Sequence, residues 1–576
     1  MAGDVKRTLG IAALVLAVAV ALGAAGTAAW LAAYSWSQVA SYRSPYVGAG
    51  LPAARPGPAQ TKRVVLVIVD GLRSDVSRKM TALERLRQYG SDLVLVTDQP
   101  SLSYPDWTTI LSGAPQRISG VTTNGFDRRV PAETLLDTAI ASGRRTVAVG
   151  PKELETLFGA RRADGAYFRD HEPGRYLSTD LVLHAIDLTA AHGPSFVLVH
   201  LPDIDEAGHA YGAGSQEYLK TALRVDTDLS VLVNALQDAN TTFVVVSDHG
   251  QIAPGGHGGW EPEVVDVPAV IAGAGVALGR GTGRLDDLAP TVAAAGGLPT
   301  PRDAIGRILP GVLSTASPEV VMPEHRQRAE MFARVLSVVE KRRIGAAKLE
   351  ADTDAQLQTA LDAADAARLA SDRRARLPLA LGLGAAALLV LAAVAALSWR
   401  ALVAAIAGAA AYYAVYEGLF FGAHRLRWSL SVINAEDRMP AFFGARLGEA
   451  ALAGLAAALV AALVYPLLRK EPKGPRGRYL AGWLALGPTT VLVVQATLAL
   501  QVAYYLWLWG AKVTWILPDL RLGFKYDLDL LQAVALGAAA VLAPMVTLAV
   551  GRYHPRVARG QTPPELTDNR LITGEE

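Results

Sequence analysis

Six long apolar stretches restrict what this chain can fold into. The first, residues 8–42, contains no Asp, Glu, Lys or Arg and follows Lys6 and Arg7. Five more lie towards the C-terminus, at 377–399, 401–421, 450–468, 480–509 and 531–551. A helix crosses a bilayer with about 20 apolar residues, so each stretch is long enough to span one. The alternative is that these stretches are buried helices of a soluble protein. Five such stretches so close together make that alternative a poor explanation. The sequence therefore predicts six membrane spans.

The first stretch has a second interpretation, a signal peptide that is removed. The apolar region of a signal peptide has about 7–15 residues, whereas residues 9–34 form a longer one. We therefore expect a retained anchor. By composition, the chain divides into an N-terminal anchor at 1–43, a water-exposed domain at 44–317, a helical connector at 318–376, a five-span membrane domain at 377–551 and a tail at 552–576.

Basic residues indicate the orientation of the spans, because they collect in short cytoplasmic loops. They are frequent between the fourth and fifth predicted spans, at Arg469, Lys470, Lys473, Arg476 and Arg478, and in the tail, at Arg552, Arg556 and Arg559. Both segments are cytoplasmic if the N-terminus is, which places the 44–317 domain outside the cytoplasm. The opposite loop, 422–448, also has four Arg residues and weakens this inference. The Ala- and Arg-rich composition suggests a bacterium, and hence its inner membrane.

Charge and cysteine content exclude several classes of function. The chain has 55 Lys and Arg against 53 Asp and Glu, a net charge of +2, so it has no basic field that would attract nucleic acid. It has no cysteine, which excludes disulfides, thiolate metal sites and a cysteine nucleophile.

Three apolar runs of the 44–317 domain end at acidic residues. Residues 64–69 end at Asp70, 196–201 precede Asp205 by a few residues, and 243–246 lead to Asp248. Continuous apolar runs separated by helical patterns are typical of buried parallel strands. In α/β sheets, ligands bind at the carboxyl ends of the strands. A single Asp at such a position is most often a helix cap, but three together predict a site.

Histidines accompany these acids. Asp205 and His209 are four residues apart, neighbours on one helical turn. His249 follows Asp248, and His257 lies in a run of four glycines. Imidazole and carboxylate ligands suit Zn²⁺, with Mn²⁺ as the alternative.

Ser103 is the candidate nucleophile. Pro105 lies where a helix begins, two residues later, and the N-terminus of a helix favours anions such as phosphate. The alternative is that Ser103 only caps that helix.

These motifs, in this order, resemble those of the alkaline phosphatase superfamily. The resemblance is closest to the type I phosphodiesterase/nucleotide pyrophosphatase branch and to the glycosylphosphatidylinositol ethanolamine-phosphate transferases, and it covers about residues 63–309. It implies an α/β fold with an alkaline-phosphatase-like, mostly parallel sheet flanked by helices, and two metal sites. One would use Asp70, Ser103, Asp248 and His249, and the other Asp205, His209 and His257. It also implies that Ser103 is the nucleophile and that Asn124 contacts a phosphoryl oxygen, although Asn124 is equally well explained as a turn residue.

Some residues depart from the family pattern. Asp106 and Trp107 stand where phosphodiesterases often have Asn and His, and Trp107 also replaces the Arg that sulfatases need. His257 follows His249 by only eight residues, a spacing that resembles that of the ethanolamine-phosphate transferases.

We therefore expect a membrane-bound phosphoethanolamine-type transferase that acts on a phospholipid or glycolipid. An extracytoplasmic phosphodiesterase anchored by its spans is the alternative, and an inactive membrane scaffold a remote one. A charge inside a span suggests function, so Glu417 is a candidate contact for the lipid headgroup. The sequence does not identify protein partners.

Overall fold

The computed structural model describes residues 2–48, 55–170, 174–468 and 476–553. Within these ranges, an α/β domain is joined by a helical connector to a bundle of long helices. The predicted tail lies outside the described residues except for 552 and 553. Of the basic residues that indicate orientation, Arg469, Lys470, Lys473, Arg556 and Arg559 also lie outside them.

The α/β domain is built on one mixed sheet. Its described strands are β1 (Arg63–Val69), β2 (Gly90–Val96), β3 (Thr146–Pro151), β4 (Gly165–Arg169), β5 (Phe196–Leu201), β6 (Thr241–Val246), β7 (Asp266–Gly273) and β8 (Gly279–Arg284). Their order across the sheet is β4-β3-β5-β1-β6-β7-β2-β8. All neighbouring pairs are parallel except the two that involve β7. This confirms the prediction of an α/β fold with a mostly parallel sheet.

Helices cover both faces of this sheet. Successive side chains of a strand point to opposite faces, so a strand that is apolar at every position needs an apolar layer on each side. Leu66 of β1 belongs to one apolar cluster and Val67 to the other. After the N-terminal helix α1 (Ala2–Ala40), the helices of the domain are α2 (Ser74–Ser77), α3 (Thr81–Arg87), α4 (Ser103–Ser112), α5 (Gln116–Ser119), α6 (Leu135–Ala141), α7 (Glu153–Phe158), α8 (Ser178–His192), α9 (Asp203–Tyr211), α10 (Gln216–Leu236), α11 (Pro262–Val265) and α12 (Leu288–Gly296).

The remaining helices form the connector and the bundle. They are α13 (Pro318–Glu340), α14 (Asp354–Leu397), α15 (Trp399–Glu417), α16 (Met439–Val464), α17 (Arg476–Leu508) and α18 (Leu520–Tyr553). Among the described residues, six helices are long and apolar enough to cross a membrane, namely α1 and α14 to α18. This confirms the predicted set of one N-terminal and five C-terminal spans and indicates a multi-pass membrane protein. The predicted boundary at 376 falls within α14, which continues from the connector into the bundle.

The N-terminal helix is part of the bundle. Ala21 of α1 is fully buried, and its carbonyl oxygen accepts a hydrogen bond from Gln495 Nε2 of α17 (3.1 Å). The same amide also donates to the carbonyl oxygen of Ala533 in α18 (3.0 Å). Gln495 therefore joins three of the six long helices.

The α/β domain contacts one end of the bundle. Thr122 Oγ1 donates to the carbonyl oxygen of Val39 near the end of α1 (2.7 Å). Arg117 of α5 pairs with Asp365 of α14 (2.5 Å) and donates to the carbonyl oxygen of Trp515, between α17 and α18 (3.3 Å). The loop between α15 and α16, residues 424–438, reaches furthest into the α/β domain and is described below.

Candidate metal centre

The sheet brings the three predicted carboxylates to one edge. Asp70 follows β1, Asp248 follows β6, and Asp205 lies in the first turn of α9, after β5. Because β1 pairs in parallel with both β5 and β6, the carboxyl ends of all three strands are adjacent. This is the position at which α/β sheets bind ligands.

The first group of ligand atoms surrounds the His249 imidazole. Asp70, Asp248 and His249 each offer one atom, and these atoms lie within 4.8 Å of one another. His249 Nε2 is 3.5 Å from Asp70 Oδ1, 3.4 Å from Asp248 Oδ2 and 3.3 Å from Ser103 Oγ. The four residues implied for one metal site by the resemblance therefore lie together.

The second group adjoins the first. His209 Nε2 is 3.2 Å from Asp205 Oδ2 and 3.2 Å from His257 Nε2, and His257 Nε2 is 3.8 Å from Asp205 Oδ1. Asp205 and His257 also have ligand atoms within 4.8 Å of one in His249, whose ring stacks on that of His257. Burial opposes protonation of His209, but the Asp205 carboxylate outweighs it and raises the pKa of His209 to about 9. A cation bound here would displace that proton.

Backbone acceptors set the tautomers of two of these imidazoles. His249 Nδ1 lies 3.2 Å from the carbonyl oxygen of Gly250, and His257 Nδ1 lies 3.0 Å from that of Ser101. A carbonyl oxygen only accepts, so each Nδ1 carries the proton and each Nε2 presents its lone pair. This is the arrangement that metal-binding histidines commonly use.

Burial and mutual repulsion shift the pKa values of the clustered groups. Burial and the carboxylates of Asp248 and Asp205 raise the pKa of Asp70 well above its usual range. Burial lowers the pKa of His249 to about 4 and that of His257 to about 3, so both imidazoles are neutral near pH 7, the form that binds metal. Among the described residues, Asp70 Oδ1 is buried without a hydrogen-bond partner. A cation would both satisfy that oxygen and offset the repulsion, so this donor set fits divalent metal ions.

Ser103 is the first residue of α4, and its side chain does not cap that helix. The cap position is Leu102, and no side-chain cap hydrogen bond is present. The Ser103 hydroxyl instead faces the His249 imidazole across 3.3 Å. The alternative interpretation of Ser103 as a helix cap is therefore wrong. The N-terminus of α4 adds a positive potential that favours a phosphoryl group beside Ser103.

Asn124 lies beside Ser103. Its Oδ1 accepts a hydrogen bond from the backbone N–H of Tyr104, the second residue of α4 (3.0 Å). The loop that follows α5 thus places Asn124 beside the N-terminus of α4.

Sequence reasoning missed three residues that hold the ligands in place. His200 Nε2 lies 3.0 Å from Asp70 Oδ2, and Gln251 Nε2 donates to Asp205 Oδ1 (2.5 Å). The third, Asn434 of the 424–438 loop, contacts His209. His200 lies inside an apolar strand and resembles a core residue, so its sequence context does not single it out.

A cavity of about 380 Å³ lies between this centre and the helix bundle. Its lining includes His209 and His257 from the metal centre and Trp36, Tyr505 and Tyr526 from α1, α17 and α18. One cavity is therefore shared by proposed metal ligands and by helices long enough to cross a membrane.

A second, smaller pocket of about 140 Å³ lies at Ser103. It is lined by Ser103, Asp70 and Asp205 together with two further acids, Glu153 and Glu206. Glu417, the predicted headgroup contact, ends α15 and is not among the described residues that line either cavity. The structure therefore does not bring Glu417 to this site.

Comparison with known proteins agrees with the chemistry of these residues. Residues 64–254 match the family model of type I phosphodiesterase / nucleotide pyrophosphatase. This match confirms the resemblance that the motifs indicate, and it includes every proposed ligand except His257.

Curated relatives add a second similarity. GPI ethanolamine phosphate transferase 1 of Mus musculus is 26% identical over 333 residues, which is 47% of this chain and 35% of the relative. The catalytic subunit of GPI ethanolamine phosphate transferase 3 of Homo sapiens is 24% identical over 305 residues, 47% of this chain and 28% of the relative. The chain thus spans about a third of the length of these relatives.

Solved structures are similar to less than half of the chain. Wild-type alkaline phosphatase PafA has a TM-score of 0.39 and 14% identity, covering 46% of this chain and 100% of that chain. Murine ectonucleotide pyrophosphatase / phosphodiesterase 5, in an inactive form in complex with AMP, has a TM-score of 0.36 and 14% identity, covering 42% of this chain and 96% of that chain.

Proposed function

We propose that this chain is a membrane-bound phosphoryl-transfer enzyme that transfers phosphoethanolamine to a lipid or glycan, with two divalent metal ions and a serine nucleophile. The proposal rests on where the candidate catalytic side chains lie. The Ser103 hydroxyl and two groups of metal-ligating side chains meet at one edge of the sheet, beside a cavity lined by membrane helices. The similar proteins named above are ethanolamine phosphate transferases, which suggests phosphoethanolamine as the transferred group.

The residues would hold two ions, which we propose to be Zn²⁺, with Mn²⁺ as the alternative. The first would be bound by Asp70, Ser103, Asp248 and His249, and the second by Asp205, His209 and His257. When bound, such a pair stabilises the negative charge on the entering and leaving oxygens.

The reaction proceeds in two half-reactions at Ser103. The Ser103 oxygen bonds to phosphorus while the bond from phosphorus to the glycerol oxygen of the donor lipid breaks, and the serine proton ends on the released diacylglycerol. An acceptor hydroxyl then bonds to phosphorus, the bond to Ser103 breaks, and the acceptor's proton returns to the serine. Asn124, beside the N-terminus of α4, would contact a phosphoryl oxygen.

The membrane-side cavity supports a lipid substrate. In an in-line displacement the leaving oxygen lies opposite the nucleophile. Because Ser103 belongs to the first metal site, we assign the leaving alcohol, and later the acceptor, to the side of the second site, at His209 and His257. Both histidines line the cavity, along with Tyr505 and Tyr526 of the spans. A diacylglycerol released there remains in contact with the helix bundle, as the product of a phospholipid donor should.

We also propose that the protein lies in a bacterial inner membrane with the α/β domain outside the cytoplasm. The α/β domain contacts the end of α1, the start of α14 and the loop before α18. Along the chain, the basic residues of 469–478 come after α16 and those from Arg552 onwards come at the end of α18 and after it. Contacts with the α/β domain instead come before each helix, from the 424–438 loop ahead of α16 and from Trp515 ahead of α18. Basic residues favour the cytoplasmic side, which places the α/β domain on the other.

A phosphodiesterase that uses water as acceptor is the second candidate, favoured by the family model that matches residues 64–254. Full-length protein with phosphatidylethanolamine labelled in its ethanolamine separates the two. The transferase predicts label in a new lipid or glycan that depends on added acceptor membranes, and none with Ser103→Ala. Label only in a water-soluble product would identify a hydrolase. Absence of release by zinc-loaded wild-type protein would contradict both and leave the inactive scaffold.

A further inference from the structure

The third imidazole of the metal centre has a partner from a different part of the chain. His209 Nδ1 lies 2.9 Å from Asn434 Oδ1, and Asn434 Nδ2 donates to the carbonyl oxygen of His209 (3.1 Å). Asn434 belongs to the 424–438 loop between two membrane-spanning helices, 225 residues away along the chain. Its amide oxygen fixes the proton on Nδ1 of His209. Nε2 is then the ligand atom that would face a metal ion held together with Asp205 and His257.

The 424–438 loop is held by several hydrogen bonds against residues 256–261, the segment that contains His257 and the glycines around it. Ser429 Oγ and Ser431 Oγ both donate to Glu261 Oε2, across 3.0 and 2.9 Å. Glu261 is fully buried. Trp260 Nε1 donates to the carbonyl oxygen of Trp428 (2.9 Å). These bonds make the contact between the loop and the α/β domain buried and directional. Burying the Glu261 side chain without these two donors would cost free energy.

Glycines beside His257 allow this close approach. A Cβ atom at Gly256 would lie 2.2 Å from the carbonyl oxygen of Ser431 and 2.6 Å from Cα of Asn434. At Gly259 it would lie 1.8 Å from Ser429 Oγ. Any larger residue at either position would displace the loop. The glycines thus serve the contact with the membrane domain as well as the turn around His257.

We propose that Asn434 is a positioning residue that orients His209, so that the membrane domain completes the second metal site. The inference rests on the proposed function and deepens it. His249 and His257 take their Nδ1 acceptors from backbone carbonyls of the α/β domain. The acceptor for His209 comes from the loop between α15 and α16. Metal affinity at the second site therefore depends on how the bundle docks on the α/β domain.

The test compares Asn434→Gly, Asn434→Asp and wild-type full-length protein in detergent. Asn434 has φ of 71° and ψ of −58°, a conformation with positive φ that glycine adopts more readily than other residues, so Asn434→Gly removes the side chain without adding backbone strain. Asn434→Asp keeps the acceptor for His209 Nδ1. Asn234→Ala, on the exposed face of α10, is the control. Zinc affinity is measured by competition with a chelator, and Co²⁺ absorption reports on the coordination geometry.

We expect Asn434→Gly to lower the affinity for one of the two zinc ions roughly 10- to 100-fold. This is the usual effect of removing a hydrogen-bond partner of a metal-binding histidine. Its Co²⁺ spectrum should change at one site, Asn434→Asp should recover most of the affinity, and excess zinc should restore turnover. Equal binding of both ions by Asn434→Gly and wild type would overturn the inference. So would equal weakening of both sites with a lowered melting temperature, which indicates general destabilisation. A wild-type protein that binds no zinc would overturn the proposed function as well.

Discussion

The indole nitrogen of Trp107 donates a hydrogen bond to Asp248 Oδ2 across 2.7 Å. Asp248 Oδ1 accepts from the backbone N–H groups of Gly71 (3.1 Å) and His249 (2.9 Å). The carboxylate is thus oriented by three donors. The Trp107 ring also packs edge-on against His200, which lies beside Asp70. Trp107, which departs from the phosphodiesterase pattern, therefore contacts one proposed metal ligand, Asp248, and His200, the neighbour of another, Asp70.

Trp107→Phe tests this contact, because it keeps an aromatic ring and removes the N–H donor. We expect zinc affinity at one site to fall about 10-fold, since an oriented ligand becomes free to rotate. Chelator competition measures this affinity, and Trp399→Phe, on an exposed part of α15, is the control. Unchanged affinity at both sites would show that the indole hydrogen bond does not orient Asp248.

Arg117 links the α/β domain to the bundle, and its removal should weaken that contact. The guanidinium donates to both oxygens of Asp365 (2.5 and 2.8 Å). This paired geometry requires the planar guanidinium of arginine. We expect Arg117→Ala to cost about 1.5–3 kcal/mol of unfolding free energy, and Arg117→Lys to recover little of it. Thermal unfolding of Arg117→Ala, Asp365→Ala and the double variant measures the coupling. Strictly additive effects would contradict a direct interaction.

Glu324 of α13 predicts a pH dependence of stability outside the metal centre. Burial raises the pKa of this carboxyl from its usual 4.5 to about 8. The folded protein then holds a proton that the unfolded chain loses, so stability falls as pH rises from about 4.5 to about 8. Glu324→Gln removes this effect and should raise the melting temperature at pH 8 while leaving it nearly unchanged at pH 5. An equal shift at both pH values would contradict the raised pKa.

Much of the fold could be predicted because it follows from local patterns. The run before Asp70 is apolar at every position, as a strand buried on both faces requires, and each span is longer than a soluble helix needs. The reversal of β7 could not be predicted. Its apolar run is as continuous as those of the parallel strands, and direction depends on how the intervening chain crosses the sheet.

The site could be predicted where ligand type and strand position coincide, as at Asp248 and His249. Asn434 could not, because its role depends on a contact between segments 225 residues apart. Nor could Gln251, since a buried amide beside a ligand has no pattern of its own. The prediction for Glu417 rests only on its charge inside a span, and Glu417 does not line the described cavities.

Ser103→Ala separates nucleophilic chemistry from metal binding. The substitution removes the attacking oxygen but leaves three protein ligands in each group. We expect turnover to fall by at least about 10³-fold, the scale on which removal of a nucleophile acts, while two zinc ions remain bound. Ser142→Ala, an exposed serine after α6, should have wild-type activity. Activity of Ser103→Ala within about 10-fold of wild type would contradict the assignment.

Trapping the covalent intermediate tests the central claim most directly. Full-length zinc-loaded protein is mixed with phosphatidylethanolamine without acceptor, quenched in acid and digested, and its peptides are analysed by mass spectrometry. The account predicts a phosphoethanolamine adduct on Ser103 that disappears when acceptor membranes are added and is absent from Ser103→Ala. An adduct on another residue, or transfer to acceptor by Ser103→Ala at the wild-type rate, would contradict it.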